Sequence, residues 1–222
     1  MNLDKLALAL EAALENAAMG ADGSHDVHHA RRVWANAQEL ARREGEGRTA
    51  ILIAAAYLHD VVNLPKNDPN RARASRLSAE AAEPILHGLE YGNEDIAAIQ
   101  HVIETHSFSA GIAPRTIEAR ILQDADRLEA LGALGIARTF YVAGLLGSRL
   151  FDGDDPFAET RNLDDEAFSV DHFSVKLLRL PAAMQTASGK AMAEERVVYM
   201  RGFLDQLGRE IGHTRPADDC RW

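Results

Sequence analysis

Histidines and aspartates of the kind that bind divalent metal ions occur in three well-separated segments of the chain. The segment "SHDVHHARRV", residues 24–33, contains three histidines, and "AAYLHDVV", residues 55–62, closes an apolar run with the pair His59 and Asp60. A third segment, "RILQDADRL", places Asp124 and Asp126 among apolar residues. Charged side chains are costly to bury unless they are paired or coordinated. We therefore expect these segments to meet around a metal ion.

Two imidazoles and two carboxylates form a ligand set that suits Mn²⁺, Mg²⁺, Ni²⁺, Fe²⁺ or Zn²⁺, and no thiolate biases the set towards a soft metal. Four protein ligands on an octahedral ion leave positions for water and substrate. Such an ion polarises a phosphoryl oxygen and lowers the pKa of water bound to it. Because adjacent residues of a helix point about 100° apart, His59 and Asp60 can share an ion only at a helix end or a kink.

The hydrophobic periodicity of the chain is helical, which predicts an all-α fold. Ser24 or Asp26 is expected to cap a helix that runs to about residue 44. The segment "TAILIAAAYLHDVV" is apolar nearly all round and predicts a central, buried helix. A first helix is expected where Leu3, Leu6, Leu10 and Leu14 follow the i, i+3, i+4 rhythm. Further helices are expected at about residues 76–90, 94–107, 115–146, 170–180 and 182–211. This organisation predicts a helical core over residues 1–146, with a connector and C-terminal helices over 147–222 packed on it.

The charge and composition of the chain limit the partners and the location that can be expected for it. The net charge of −10 repels phosphate backbones, so nucleic acid is not an expected partner, whereas a local basic cluster can still bind a small anion. No apolar run approaches the roughly 20 residues of a membrane helix. The start lacks the basic region of a signal peptide, and the single cysteine, Cys220, fits a reducing compartment. We expect a cytoplasmic protein with no membrane partner, and its oligomeric state stays open.

The order of the three segments resembles the H…HD…D pattern of the HD-domain metal-dependent phosphohydrolases. The motifs "HDVHHARRVW", "LHDVVNLPKN", "QDADRLEALGALGIAR", "FDGDDPFA" and "DHFSVKLLRLP" resemble the YedJ-type HD proteins of bacteria over about residues 20–205. The resemblance implies an HD-domain helical core with a C-terminal helical extension, a divalent metal cofactor, and hydrolysis of a phosphate ester or anhydride. A related branch converts nucleoside triphosphates to monophosphates, which makes a nucleotide the implied substrate.

The resemblance also implies roles for individual residues. His29, His59 and Asp60 are the implied metal ligands, and Asp126 is the favoured fourth ligand. Asp124 is the alternative, and it would otherwise hold a ligand or a water. Together with Asp60 and Asp124, His106 is predicted to take part in catalysis.

Basic side chains near these segments are predicted to bind the phosphates of the substrate. Arg32 lies one turn after His29, Lys66 follows the HD pair, and His172 and Lys176 are spaced i, i+4 on one helix face. Asp26 has two possible roles, as the cap of its helix or as a partner that orients the His29 ring.

Two other classes of function compete with hydrolysis. One is a di-iron HD-type oxygenase, in which His87 and His101 would add ligands. The other is a nucleotide-binding sensor without turnover. Metal content distinguishes the first alternative from a hydrolase, and product release distinguishes the second.

Overall fold

The computed structural model describes residues 2–17, 26–64, 68, 70–107 and 110–215, and the all-α prediction is confirmed for this part of the chain. This part of the chain contains nine α-helices, of which α8 is the shortest, with five residues. In chain order they are α1 (Leu3–Ala17), α2 (Val27–Glu44), α3 (Thr49–Leu58), α4 (Ala74–Gly88), α5 (Asn93–His106), α6 (Ile117–Leu128), α7 (Gly132–Leu146), α8 (Asp171–Val175) and α9 (Ala187–Ile211). Short 3₁₀ helices cover Arg71–Arg73 and Leu177–Ala183.

The chain divides into two compact units, Met1–Asp126 and Arg127–Trp222. The boundary falls within α6, so the first unit contains α1 to α5 and most of α6. The division predicted from the sequence, with a core over residues 1–146 and an extension over 147–222, stays a prediction. The residues that could bind metal all belong to the first unit.

The helix α3 is the centre of the first unit and contacts α1, α2, α4 and α5. All residues from Ile51 to Leu58 are buried, as an apolar helix surface on every side requires. The helix ends at Leu58, and His59 and Asp60 lie in the turn that follows it. The structure therefore has the helix end that two adjacent ligands need.

The helix α2 begins at the cap predicted for it. The Asp26 carboxylate Oδ1 accepts a hydrogen bond of 2.9 Å from the backbone N–H of His29, which is the geometry of an N-cap. Ser24, the other predicted cap, lies outside the described residues. This start places His29 on the buried face of α2, on the same side as Val33 and Leu40.

The single helix predicted over residues 115–146 is wrong, because the chain turns between α6 and α7. Gly132 adopts a φ of +71°, in the left-handed region that glycine enters without steric cost. At Gly135 a β-carbon would overlap the carbonyl oxygen of Ala130, so the turn requires glycine there as well. Hydrophobic periodicity continues through this segment and gives no sign of the turn.

The second unit is organised by side-chain bonds to its connector. Asp155 accepts hydrogen bonds from the backbone N–H groups of Glu159, Thr160 and Arg161. The guanidinium of Arg161 donates to both carboxylate oxygens of the buried Asp171, over 2.5 and 2.8 Å. The helix predicted over 170–180 is shorter than expected, since it ends at Val175 and continues as a 3₁₀ helix that contains Pro181.

Among the described residues, no single helix is long and apolar enough to cross a membrane. One bent pair, α6 with α7, reaches that length and hydropathy only when the two helices are taken together.

We expect Tyr57→Phe to lower the stability of the first unit. The Tyr57 hydroxyl donates 2.9 Å to the Glu11 carboxylate, which also accepts from Arg31 over 2.8 and 2.7 Å, so this hydrogen bond joins α3 to α1. Loss of a partly buried hydrogen bond to a charged group should lower the free energy of unfolding by roughly 1 kcal/mol, measurable by urea denaturation. Tyr141→Phe is the control, since Tyr141 is 53% exposed. Equal unfolding midpoints for the two variants would contradict the expectation.

Candidate metal centre

Two imidazole rings form the buried side of the site. His29 on α2 and His59 after α3 approach with their Nε2 atoms 3.2 Å apart. The Nδ1 atom of His59 lies 2.9 Å from the carbonyl oxygen of Ala56. Because a carbonyl oxygen only accepts, Nδ1 carries the proton and Nε2 of the neutral ring presents a lone pair. The His59 ring is therefore oriented as a metal ligand would be.

Two carboxylates complete the set. Oδ1 of Asp126, on α6, lies 3.5 Å from Nε2 of His29 and 3.9 Å from Nε2 of His59. Oδ2 of Asp60 lies 3.7 Å from Nε2 of His59. Three of these residues, His29, His59 and Asp126, form one of two groups among the described residues whose ligand atoms could hold a metal ion.

The spacing of these donor atoms fits a divalent cation. Two ligands about 2.1 Å from an ion lie about 3.0 Å apart at right angles and about 4.2 Å apart when they are opposite. The observed separations, from 3.2 to 3.9 Å, fall between these limits. The donor atoms of His29, His59 and Asp126 thus have a spacing that fits a divalent metal, and Asp60 lies beside this group through its contact with His59.

His106, the last residue of α5, joins the second group, with His59 and Asp60. Its Nδ1 lies 2.7 Å from the carbonyl oxygen of Ile103, and its Nε2 lies 3.4 Å from Oδ1 of Asp60. Its ring meets the His59 ring edge-on, with centroids 4.9 Å apart. Asp60 therefore directs one carboxylate oxygen towards His59 and the other towards His106.

The electrostatic environment separates the protonation states of these groups. Burial lowers the pKa of His59 to about 4, so its ring is neutral at neutral pH and able to coordinate. Burial also opposes charge on His106, but the hydrogen bond with Asp60 and the charges of Asp60 and Asp126 outweigh it and raise the pKa of His106. Burial opposes charge on Asp126 too, but the neighbouring histidines outweigh it and lower the pKa of Asp126.

The exposure of the side chains shows from which side the site is open. The side chains of His29, His59 and His106 are 2%, 1% and 6% exposed. Those of Asp60 and Asp126 are 23% and 32% exposed. Solvent therefore reaches the carboxylates and not the imidazoles, and water or a substrate has access from the carboxylate side.

Other predicted ligands lie elsewhere. Asp124 is fully buried on α6 and belongs to neither of the two groups. His87 is exposed on α4, with its Nε2 3.9 Å from the Glu83 carboxylate. His101 accepts a hydrogen bond of 3.2 Å at Nε2 from the backbone N–H of Arg115. The geometry therefore does not bring His87 and His101 to the cluster, as a di-iron centre would need.

The residues predicted to bind phosphate belong to different parts of the chain. Arg32 is half-buried on α2, one turn after His29, and Lys66 lies outside the described residues. His172 and Lys176 belong to the second unit, where Nδ1 of His172 lies 2.8 Å from Oδ2 of Asp165 and Lys176 is exposed. Their roles in substrate binding stay predictions.

Comparison with known proteins gives the family. The family model of the HD domain matches residues 26–131. The protein YpgQ of Bacillus subtilis is 34% identical over 194 residues, which are 84% of each chain. The chain belongs to the HD superfamily. The matched range contains every residue of the two metal-capable groups, and the resemblance drawn from the sequence motifs is confirmed at the level of the family.

Solved structures show that the match extends over nearly the whole chain of this HD protein. An HD-superfamily hydrolase from Bacillus thuringiensis is 31% identical, with a TM-score of 0.72 over 94% of this chain and 98% of the other. YpgQ of Bacillus subtilis in complex with ADP is 32% identical, with a TM-score of 0.71 over 96% and 100%. The chain therefore has the fold of HD-superfamily hydrolases.

Sequence analysis missed a serine that supports the HD pair. The Ser78 hydroxyl, buried on α4, lies 3.2 Å from both the backbone nitrogen and the carbonyl oxygen of Val62, two residues after Asp60. These hydrogen bonds of Ser78 fix the backbone just after the turn that contains His59 and Asp60, here called the HD turn. The sequence gives little sign of this role, because Ser75 is also buried on the stripe of small residues of α4 and the residue type does not distinguish the two serines.

We expect Asp60→Ala to lose bound metal and to keep its helical fold, because the turn after α3 holds no other carboxylate. The measurement is metal per chain after loading with Mn²⁺ and gel filtration, with circular dichroism as the test of folding. Asp95→Ala is the matched control, since the exposed Asp95 pairs with Arg48 at the start of α5. A stoichiometric metal content in Asp60→Ala would exclude Asp60 as a ligand.

The choice between the two aspartates of α6 is tested by Asp126→Asn and Asp124→Asn. Because Asp126 directs Oδ1 to the histidines, its amide variant should lose more Mn²⁺ affinity than the Asp124 variant. A supporting residue typically costs roughly 10- to 100-fold in affinity, and a lost ligand should exceed that range. Mn²⁺ titration of both variants decides the order, and the reverse order would make Asp124 the ligand.

Proposed function

We propose that this HD protein is a metal-dependent phosphohydrolase that cleaves a phosphate ester or anhydride, with a nucleotide as its substrate. The observation that carries the proposal is the convergence of His29 from α2, His59 from the turn after α3 and Asp126 from α6, with Asp60 beside His59 and the carboxylates open to solvent. The donor set fits a divalent ion, and the exposed side leaves room for an anionic ligand.

In the proposed site His29, His59, Asp60 and Asp126 hold the metal. A divalent ion there supplies positive charge to a phosphoryl oxygen and makes water nucleophilic at neutral pH. Burial lowers the pKa of His59 and keeps its ring neutral, and the bond of its Nδ1 to Ala56 leaves Nε2 free to coordinate. The neighbouring histidines lower the pKa of Asp126 and so favour its ionised form. These are the states in which His59 and Asp126 can act as ligands.

His106 is proposed as the proton carrier of the reaction. With Nδ1 donating to Ile103, a proton on Nε2 points to Oδ1 of Asp60, on the side of the carboxylate away from His59. His106 is thus placed to hold a proton beside the reacting group and to donate it to a leaving oxygen. Asp124, which lies on the same helix as Asp126, is proposed to act through that ligand or through a water.

The nucleotide is proposed from the relative that carries one. YpgQ, which shares 32% of its residues with this chain, has been solved in complex with ADP. Arg32, Lys66, His172 and Lys176 are proposed to neutralise the phosphates, as cations do in phosphoryl transfer. In its finer form the proposal is a nucleoside triphosphate pyrophosphohydrolase, which releases a monophosphate and pyrophosphate. We do not propose nucleic acid as a substrate, because of the negative charge of the chain.

We expect the protein to release a nucleoside monophosphate from ATP in the presence of Mn²⁺, Mg²⁺ or Ni²⁺, and to stop when EDTA removes the metal. Products are measured by ion-exchange chromatography for ATP, ADP and p-nitrophenyl phosphate, so that a nucleotide anhydride and a simple phosphomonoester are compared. Asp60→Ala should have no activity, and Asp95→Ala should retain that of the wild type.

Each rival function has its own result in this experiment. Nucleotide binding by calorimetry without any product would support the sensor. Two irons per chain and consumption of O₂ would support the oxygenase. Release of phosphate from p-nitrophenyl phosphate but not from any nucleotide would refute the nucleotide substrate and keep the phosphohydrolase.

A further inference from the structure

Two buried amide side chains donate hydrogen bonds to backbone carbonyl groups of the residues that immediately precede Asp126 and His106 in the chain. Nδ2 of Asn36, on α2, lies 3.2 Å from the carbonyl oxygen of Ala125, whose peptide bond leads into Asp126. Nε2 of Gln123, on α6, lies 2.7 Å from the carbonyl oxygen of Thr105, whose peptide bond leads into His106. Both amides therefore act on the backbone at the point where a site residue begins.

The two amides connect the three helices that carry the site. Asn36 lies two turns after His29 on the same buried face of α2, so its bond to Ala125 sets the distance between α2 and α6. Gln123 lies three residues before Asp126, hence on a neighbouring part of the α6 surface, and its bond to Thr105 sets the distance between α6 and α5. The separations of His29, Asp126 and His106 depend on these two distances.

The other end of Gln123 indicates that its role is not stability alone. Its Oε1 is buried and has no hydrogen-bond partner among the described residues, and Gln123 as a whole is 4% exposed. A buried acceptor without a partner destabilises a fold, so native proteins contain few of them. A leucine or methionine would fill the position without that cost, but it would not donate to Thr105.

The hydrogen bond from Gln123 to Thr105 also has a purely structural explanation. The carbonyl of Thr105 is one of the last four of α5, which have no partner within their helix, and Gln123 satisfies it. By this explanation any donor would serve, and the metal centre would not respond to its loss beyond the general loss of stability.

We propose that Asn36 and Gln123 are positioning residues of the metal centre, which fix the peptide groups before Asp126 and His106 and so hold the donor atoms at the spacing that a divalent ion requires. This inference rests on the metal site of the proposed function. It predicts that removing either amide weakens metal binding more than an equal loss of stability would explain.

The test uses Gln123→Met and Asn36→Leu, which keep the size of each side chain and remove the donor. Mn²⁺ is the probe, and its dissociation constant is measured from the electron paramagnetic resonance signal of the free ion. Gln100→Met is the matched control, because Nε2 of Gln100 donates to the carbonyl of Ala79 over 3.2 Å and joins α5 to α4 away from the site. Thermal unfolding of the metal-free proteins measures the stability of all three variants.

We expect Mn²⁺ affinity to fall roughly 10- to 100-fold in Gln123→Met and Asn36→Leu, as for other residues that support metal ligands, and to stay within about twofold in Gln100→Met. Similar losses of affinity in all three variants, or wild-type affinity in the two site variants, would overturn the inference. Should Gln123→Met not fold, Gln123→Leu takes its place, since leucine also lacks a donor for Thr105 and the same loss is expected.

The outcome for the inference is separate from that for the proposed function. Absence of Mn²⁺ binding in the wild type would overturn the metal site and this inference with it. Binding in the wild type that is unchanged in the two site variants would overturn the inference alone. Neither result depends on whether a nucleotide is hydrolysed, since no substrate is present.

Discussion

The structure depends on the approach of two imidazole nitrogens, Nε2 of His29 and Nε2 of His59, to 3.2 Å in the interior of the first unit. Since Nδ1 of His59 donates to Ala56, its Nε2 presents a lone pair, and the favourable neighbour for a lone pair in a buried site is a proton or a cation. Asp60 and Asp126 bring negative charge to the same point. The helices must therefore keep four polar groups together at a place where none of them would be stable alone.

The apolar helix α3 makes this arrangement possible. Its side chains are buried on all sides, so the residue that follows its last turn enters the protein at the centre of the helical packing. His59 and Asp60 follow there, and Ser78 holds the chain as it leaves the turn. The hydrophobic contacts of α3 thus determine where the polar pair lies, and the polar pair needs partners from α2 and α6 to be tolerated.

Much of the site follows from the sequence, and the reason is local. A histidine, an HD pair and an aspartate within apolar surroundings are costly unless they meet, so the residue types point to His29, to the pair His59 and Asp60, and to an aspartate of α6. Asp126 and Asp124 could not be separated, because their orientation depends on the rotation of α6 about its axis. The cap of α2 at Asp26 was also predictable, since its side chain bonds only three residues ahead.

The parts that the sequence did not reveal depend on backbone conformation and on contacts between distant segments. The turn at Gly132 lies within continuous helical periodicity, and only the left-handed φ of that glycine marks it. Asn36 and Gln123 donate to backbone carbonyl groups. Every residue has such a group, so the sequence does not indicate which residue accepts these hydrogen bonds. The roles of Lys66, His172 and Lys176 require a substrate, and helix spacing alone cannot supply them.

The division of the proposed centre into shielded imidazoles and accessible carboxylates would impose an order on metal uptake. A hydrated ion would meet Asp60 and Asp126 first, and would reach His29 and His59 only after losing part of its water shell. Oxygen donors on a chain of net charge −10, which attracts cations over a distance set by ionic strength, would then govern capture. Release would follow the reverse path, so exchange of the ion would not require the buried histidines to meet solvent.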